Sequence, residues 1–544
     1  MVLTLHDFFT GLLRGGCLLG LALAAGGVVW GLAVLRAPGS RGLPPCVARR
    51  CLDIVRLGAV ALGLARVAAL LLESYVLSAT LGGSVLPALL ATPHFKAAMA
   101  QAVLALALAV TVTRLRAKPT TLAGWAVAGL LAALIAMSGV WLTHAAGRLA
   151  HRAPLMVLTV VHQAGAVVWV GGLVQLGALW RLARTDAGAA AAWLPLVRRF
   201  SGLAVAAVGV LVLTALPLTW TYAGSWQALV GTGYGSLVVT KAGLLVTVLA
   251  LAFMTRRTVR ASDDLAAGPA LRERVSRLAE AETIVLVIVL FAAAGLSSQP
   301  PAADQPAADT ATVAEVVQVF RPKLPSLHAP SLEAMQRSRA ERASGKERSR
   351  EAYLWSNFTH NVAGLILLGT SMFALVALAR GTGWGRHWPL GFVALAVFVY
   401  LRVAANEGAW PFGPTPLWDI DAEGLQHRLA AGLVLALGLI EWRARAPVLR
   451  VGALAYVLPV LAGAGSVLLL THSHVAFQSK ASFLVQVTHS TMGALAALLA
   501  AARWLELRLG PPASRWAGVA ASLAMAGISL VLVFYREANL TFGD

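Results

Sequence analysis

Apolar segments of about 20 residues recur along this chain, and they constrain its fold more than any other feature. One α-helix of that length spans the hydrocarbon core of a bilayer, which is about 30 Å thick. The predicted fold class is therefore all-α, a polytopic membrane helix bundle. Fourteen membrane helices are predicted, near residues 9–35, 54–77, 95–113, 121–143, 155–180, 200–221, 236–255, 282–297, 357–379, 388–405, 426–442, 448–470, 482–502 and 515–535.

The positive charge of the chain lies between these apolar segments. The net charge is +20, but lysine and arginine occur in short groups that are typical of topology-setting loops, so nucleic-acid binding is not expected. By the positive-inside rule the loops after the first, third and fifth helices are cytoplasmic, and both termini face the other side. The residues that carry this prediction are Arg36, Arg41, Arg49, Arg50, Arg114, Arg116, Lys118, Arg181, Arg184, Arg198 and Arg199.

Two sequence segments in the second half of the chain repeat segments of the first half in the same order. WLTH at 141–144 and VVHQAGA at 160–166 match LLTH at 469–472 and VTHSTMGA at 487–494. Together with three further matches, they predict two parallel six-helix repeats, formed by helices 1–6 and 9–14. A chance alignment of sequence rich in leucine and alanine is the alternative interpretation.

A segment rich in Pro and Ala, and then in charge, separates the two groups of helices and is predicted to lie outside the membrane, with a short helix near 331–350. The predicted domains are the first repeat at 1–230, two spacer helices at 231–297, a periplasmic linker at 298–355 and the second repeat at 356–544.

Histidines occur at the same predicted level of the bundle in both repeats. A histidine inside the membrane costs free energy unless a partner or a ligand offsets its desolvation. Neutral imidazole binds copper, zinc and haem iron, and thioether sulfur prefers Cu(I). A single histidine at a helix end is more often hydrogen-bonded to backbone or water, but the recurrence favours metal binding. The predicted metal ligands are His144, His162, His360, His427, His472, His474, His489 and Met492.

Two arginines occupy matching positions in the predicted helices 2 and 10. Arg66 and Arg402 lie where a charge needs a partner or a function, because the bilayer does not solvate it. A structural ion pair and cofactor binding both explain them. If the cofactor is haem, these arginines are predicted to bind its propionates.

The residues around His144 and His162 resemble the copper resistance protein D (CopD) family of bacterial inner-membrane proteins. The resemblance is carried by THAAGRLAHRAPLMVLTVVHQAGAVVWVGGL, RFSGLAVAAVGVLVLTALPLTW, YGSLVVTKAGLL and WSNFTHNVAGL, and by the spacing of His162, Trp169, Gly171 and Gly172. It implies copper handling at the periplasmic face of the inner membrane, with His144 and His162 as functional residues. It also implies that the protein binds a copper ion and that a periplasmic copper chaperone is a candidate soluble partner.

The leading hypothesis is a copper-binding membrane protein that takes up or relays copper through histidines in the outer half of the bundle. The rival is a b-type haem protein that transfers electrons or changes the oxidation state of copper, with histidines as axial ligands. Structural histidines in an assembly factor are a third interpretation. Whether the chain is an enzyme stays open, although a transporter or metal-binding protein is favoured. The predicted inner halves of the helices are mostly Leu, Ala, Val and Gly, so no polar path to the cytoplasm is expected.

Overall fold

The computed structural model describes residues 6–36, 44–260, 269–343, 349–380, 383–416, 422–445, 452–471 and 480–537. Within these ranges the chain is helical, and the β structure consists of one isolated bridge between Ala409 and Thr415. Thirteen of the described helices are long and apolar enough to cross a membrane. The prediction of an all-α, polytopic membrane bundle is confirmed.

Eight membrane helices form the first part of the bundle. They are α1 (His6–Leu21, continued by the π-helical turns Ala22–Gly26 and Gly31–Leu35), α2 (Pro45–Leu81), α3 (Pro93–Ala117), α4 (Leu122–Val140), α5 (Arg152–Ala183), α6 (Ala187–Ala223), α7 (Gly233–Arg260) and α8 (Pro269–Leu296). Short helices at Leu86–Ala91, His144–Gly147 and Trp226–Gly231 lie in the connections. We call the membrane side on which α1 begins the N-side.

Six more long helices follow the linker: α9 (Arg350–Arg380), α10 (Leu390–Glu407), α11 (Ala422–Ala444), α12 (Val457–Thr471), α13 (Lys480–Arg508) and α14 (Ala513–Val533). Helix α11 covers the predicted segment 426–442 but is not among the thirteen candidate spans. Polar residues of its first turns, such as His427 and Arg428, lower its hydropathy.

Helix α8 begins thirteen residues earlier than its predicted start at residue 282. Its first half is charged and lies outside the predicted apolar span at 282–297. In the structure Arg277 pairs with Glu273 at 2.8 Å and with Glu280 at 3.0 Å, one turn away on either side. Such neighbouring pairs satisfy the charges within the helix, so the helix continues through them. As a result Glu282 lies near the middle of α8 and not at its end.

The linker lies across the N-side of both groups of helices. Its helix Val313–Phe320 packs through Val316 and Val319 on Phe483 at the start of α13. Lys480 of α13 forms an ion pair with Glu315 at 2.6 Å, and this contact, with the Thr312 amide, holds the pKa of Glu315 below its usual value. A second linker helix, Leu332–Ala343, confirms the helix predicted near 331–350.

The two largest hydrophobic cores of the described residues largely follow the order of the chain. The first is built mainly by α1 to α8, with Leu470 of α12 and Ala497 and Ala501 of α13 packed into it. Helices α7 and α8, which were predicted to be spacers, contribute Leu244 and Ile288. The second is built by helices from α9 to α14 and includes Phe392 and Met525. Helix α8 joins them, because Trp504 and Arg508 of α13 both donate to the carboxylate of Glu280. The division into two six-helix repeats stays a prediction.

The two glycines after Trp169 allow three helices to pack closely. A Cβ atom at Gly171 of α5 would overlap the Ala22 carbonyl of α1, and one at Gly172 would overlap the ring of Phe200 of α6. Gly177, on the same helix, has nothing within 4 Å of such an atom. We expect Gly171→Ala to lower the free energy of unfolding by about 1–3 kcal/mol through overpacking, whereas Gly177→Ala leaves it unchanged or raises it slightly. Unfolding of both variants in the same detergent measures the difference, and equal stabilities would contradict the close approach.

Candidate functional site

A cavity of about 620 Å³ lies in the N-side half of α1 to α8. Its walls come from the first halves of odd-numbered helices and the second halves of even-numbered ones. Because successive helices run in opposite directions, these segments share one level of the bundle. Four histidines line the cavity: His6, His94, His144 and His162. Two of the predicted metal ligands, His144 and His162, therefore face a common space.

His144 begins the short helix between α4 and α5, at the edge of the cavity. The Leu296 carbonyl accepts a hydrogen bond from the ring, while Nε2 is buried without a hydrogen-bond partner in the described part of the chain. Burial lowers the pKa of His144, the bond to Leu296 raises it, and the positive charges of Arg14 and Arg148 lower it. The net lowering favours the neutral imidazole, which is the form that binds metals.

His162 lies about ten residues into α5, on the cavity wall. Its Nδ1 is 2.9 Å from the hydroxyl oxygen of Thr214, which itself donates to the Val210 carbonyl at 2.6 Å. Since the hydroxyl proton is already used, Thr214 accepts from Nδ1–H of His162. This assignment leaves Nε2 with a free lone pair. A ring whose other nitrogen donates to oxygen is the usual arrangement of metal-binding histidines.

Positive side chains outnumber carboxylates on the cavity wall. Arg14, Arg66 and Lys241 line it together with one carboxylate, Glu73. The carboxylate of Glu73 lies 3.7 Å from the ring of His94, so the arginines and the lysine share it with that imidazole. This charge balance favours anionic groups of a ligand in the polar part of the cavity.

Arg66 is held by an amide and not by a carboxylate. Its Nε donates to Oε1 of Gln101 at 2.9 Å, and Nε2 of Gln101 donates to the Ile135 carbonyl at 3.1 Å. The hydrogen bond to Gln101 therefore orients Arg66, and the structural ion pair considered from the sequence does not. Its role as a cofactor-binding residue stays a prediction, and its position on the cavity wall is compatible with it.

Three predicted ligands of the second group of helices lie near one another. His360 lies within electrostatic range of both His427 and His489. Nδ1 of His360 donates to the Ser356 carbonyl at 2.8 Å, and Nδ1 of His489 donates to the Val485 carbonyl at 3.0 Å. As in His162, Nδ1 of each of these two rings contacts an oxygen atom. However, no three His, Cys, Asp or Glu side chains among the described residues are placed so that they could hold one metal ion.

The remaining predicted site residues have mixed positions. His472 and His474 lie outside the described residues. Met492 is buried, one turn after His489. The guanidinium of Arg402 lies 3.5 Å from the centre of the Trp355 ring and 4.7 Å from that of Phe358. Arg402 therefore stacks on aromatic rings and does not line the cavity of Arg66. The metal-binding roles of His472, His474 and Met492 and the cofactor-binding role of Arg402 stay predictions.

Glu282 was missed by the sequence analysis. It is 2% exposed, near the middle of α8, and its Oε1 accepts a hydrogen bond of 2.8 Å from Nε1 of Trp169. Trp169 in turn lines the cavity. A carboxyl group next to the apolar run IVLVIVLFAAAGL was the signal, but the charges before it made the helix seem to start there.

Comparison with known proteins agrees with the resemblance seen in the sequence. Residues 194–296 match the family described as Copper resistance protein D, which confirms the resemblance for this segment. The matched segment covers most of α6, all of α7 and α8, and hence Thr214, Lys241 and Glu282. It does not include His144 or His162.

One curated relative is similar to part of the chain. The chain is 31% identical over 148 residues to the copper transport protein CutJ of Bacillus subtilis (strain 168). The similar region makes up 27% of this chain and 25% of that relative, so the match spans about a quarter of the relative's length. No solved structure matches the chain.

Proposed function

Because residues 194–296 match the copper resistance protein D family, we propose that this multi-pass membrane protein binds copper in the N-side cavity and takes it up or relays it. The observation that carries the proposal is the state of His144. Its ring is held by the Leu296 carbonyl, and its buried Nε2 has no hydrogen-bond partner within the described ranges. A buried polar atom without a partner is costly, and a metal ion would satisfy it.

His162 is proposed as the second ligand. It lines the same cavity as His144, and Thr214 fixes its Nδ1 so that Nε2 keeps its lone pair. These contacts with oxygen orient both rings before copper arrives, which lowers the ordering that binding requires. His360, His427 and His489, with His472, His474 and Met492, are proposed as a second, separate copper site.

We further propose that the N-side is the periplasmic face of a bacterial inner membrane and that a periplasmic copper chaperone delivers the ion there. Basic residues end several helices on the opposite side, among them Arg116 of α3, Arg260 of α7 and Arg508 of α13. This distribution supports a cytoplasmic location for that side. Labelling of the exposed linker residue Leu324, replaced by cysteine, with a membrane-impermeant thiol reagent in intact spheroplasts tests the orientation, and protection of the thiol would reverse it.

The size of the cavity favours one alternative ligand. A volume of about 620 Å³ is far larger than a bare ion requires and is typical of pockets for organic ligands. His144 or His162 would hold the iron of a b-type haem, and Arg66 would bind a propionate. Haem would supply electron transfer when bound, and the chain would then act as an oxidoreductase.

An absorption spectrum together with metal analysis separates the two functions. The copper proposal predicts that the purified full-length protein contains stoichiometric copper and shows no haem band in the reduced-minus-oxidised spectrum. A haem b band in stoichiometric amount would replace copper binding in this cavity with the haem alternative. Protein that takes up neither copper nor haem would overturn both.

A further inference from the structure

We propose that Glu282 is a proton-binding site in the middle of the membrane, which releases its proton when a cation enters the cavity. The release step rests on the proposed function, because copper is the cation considered. The proton-binding step does not. Together they make the protein an exchanger of copper for protons at this site.

The position of Glu282 places a carboxyl group directly below the cavity. Helix α8 has 28 residues, and Glu282 lies at its midpoint with 2% of its surface exposed. Leu286, one turn further towards the N-side, lines the cavity. At 1.5 Å per residue, Glu282 lies about 20 Å from either end of the helix, so bulk water does not solvate it.

Trp169 connects Glu282 to the cavity. Its indole N–H donates to Oε1 of Glu282 at 2.8 Å, and the same side chain forms part of the cavity wall. His162 lies seven residues, or two turns, before Trp169 on α5. An indole only donates, so this hydrogen bond is available to both the neutral and the ionised carboxyl group.

The charged groups on the helices packed against α8 contact residues of α8 other than Glu282, or line the cavity. Arg508 of α13 pairs with Glu280 at 3.1 Å, and Arg14 of α1 donates to the Ser297 carbonyl at 3.0 Å. Lys241 of α7 lines the cavity. On α8 itself, Arg277 pairs with Glu273 and Glu280. For Glu282, Trp169 is the one hydrogen-bond partner found in the described part of the chain.

The surroundings determine the protonation state of Glu282. An ionised carboxyl group without a cationic partner in a medium of low dielectric costs more free energy than a neutral one. Without a cation nearby, these surroundings therefore favour the protonated form. A copper ion in the cavity adds a positive charge nearby, which favours the carboxylate because charges interact strongly where water is excluded.

The exchange balances charge. When one Cu(I) ion binds, the O–H bond of the Glu282 carboxyl breaks and its proton passes to water, so the membrane interior keeps the same net charge. No electron is transferred.

Infrared difference spectroscopy of the full-length protein in lipid tests the proposal. In copper-free protein we expect the C=O stretch of a protonated carboxyl at neutral pH, which is lost in Glu282→Gln. The amide can still accept the hydrogen bond from Trp169, so this variant is expected to fold. Glu273→Gln is the matched control, because Glu273 lies on the same helix but is 55% exposed, and it should keep the band. A band that persists in Glu282→Gln, or that is absent from the wild type, would overturn the proton site.

Addition of Cu(I) tests the release step. We expect the carboxyl band to disappear and about one proton per copper bound in the N-side cavity to enter a weakly buffered solution, with neither change in Glu282→Gln. Metal analysis of the same samples measures copper binding independently of proton release. Copper that binds without proton release overturns the exchange, whereas protein that binds no copper overturns the proposed function and leaves the copper-free band to decide the proton site.

Discussion

Replacement of both His144 and His162 by alanine is expected to abolish stoichiometric copper binding in the N-side cavity. Loss of an outer partner of a metal ligand typically weakens binding about 10- to 100-fold, so loss of both ligands should exceed about 100-fold. The cause is direct, because each substitution removes an imidazole from a cavity that both rings line. Equilibrium dialysis against a Cu(I) chelator of known affinity measures the change in purified full-length protein.

Two further variants make this test specific. His328→Ala is the control, since His328 is exposed in the linker, and it should leave the affinity unchanged. Thr214→Val keeps the shape of the side chain but removes the oxygen that accepts from His162, so it should weaken binding by about 10-fold or more. Because the histidines around His360 are proposed as a second site, the expected result is the loss of one copper equivalent per protein. A double variant that keeps the full copper stoichiometry of the wild type would contradict the site at His144 and His162.

The same variants also apply to the haem alternative. If the purified protein shows a haem b band, the double variant should lose it, because it removes the two histidines proposed as axial ligands. Arg66→Gln should then weaken haem retention without removing the iron ligands, whereas it should leave binding of a bare copper ion unchanged or stronger. The opposite responses arise because Arg66 attracts a propionate and repels a cation.

Hydropathy predicted the architecture well, because membrane-spanning segments must be both long and apolar. It located the apolar half of α8 but not its charged first half, since the pairing of Arg277 with Glu273 and Glu280 depends on the helix itself. The common space for His144 and His162 was anticipated from helix order. The hydrogen bonds Trp169–Glu282 and Arg66–Gln101 could not be predicted. They depend on how each helix is rotated about its axis, and hydropathy does not specify that rotation.

A buried ion-pair network at the side opposite the cavity is the basis of the largest stability effect that we expect. Glu441 of α11 is 1% exposed and accepts from Arg503 of α13 at 2.6 Å and from Arg445 at 2.9 Å. Glu441→Ala would leave Arg503, which is 7% exposed, with Glu506 alone at 2.7 Å. Removing one partner of a buried pair costs roughly 3–5 kcal/mol because the remaining charge stays desolvated.

The size of the expected loss in the free energy of unfolding distinguishes a buried ion-pair network from an ordinary surface ion pair. Glu273→Ala removes an ion pair of similar length, but Glu273 is 55% exposed and Arg277 keeps Glu280, so the cost should be about 0–1 kcal/mol. Chemical unfolding in one detergent compares the two variants, and Glu441→Gln, which keeps an acceptor, should lie between them. A loss below about 1 kcal/mol in Glu441→Ala would mean that water reaches Arg503, and that α11 and α13 are not joined by a dry ionic contact.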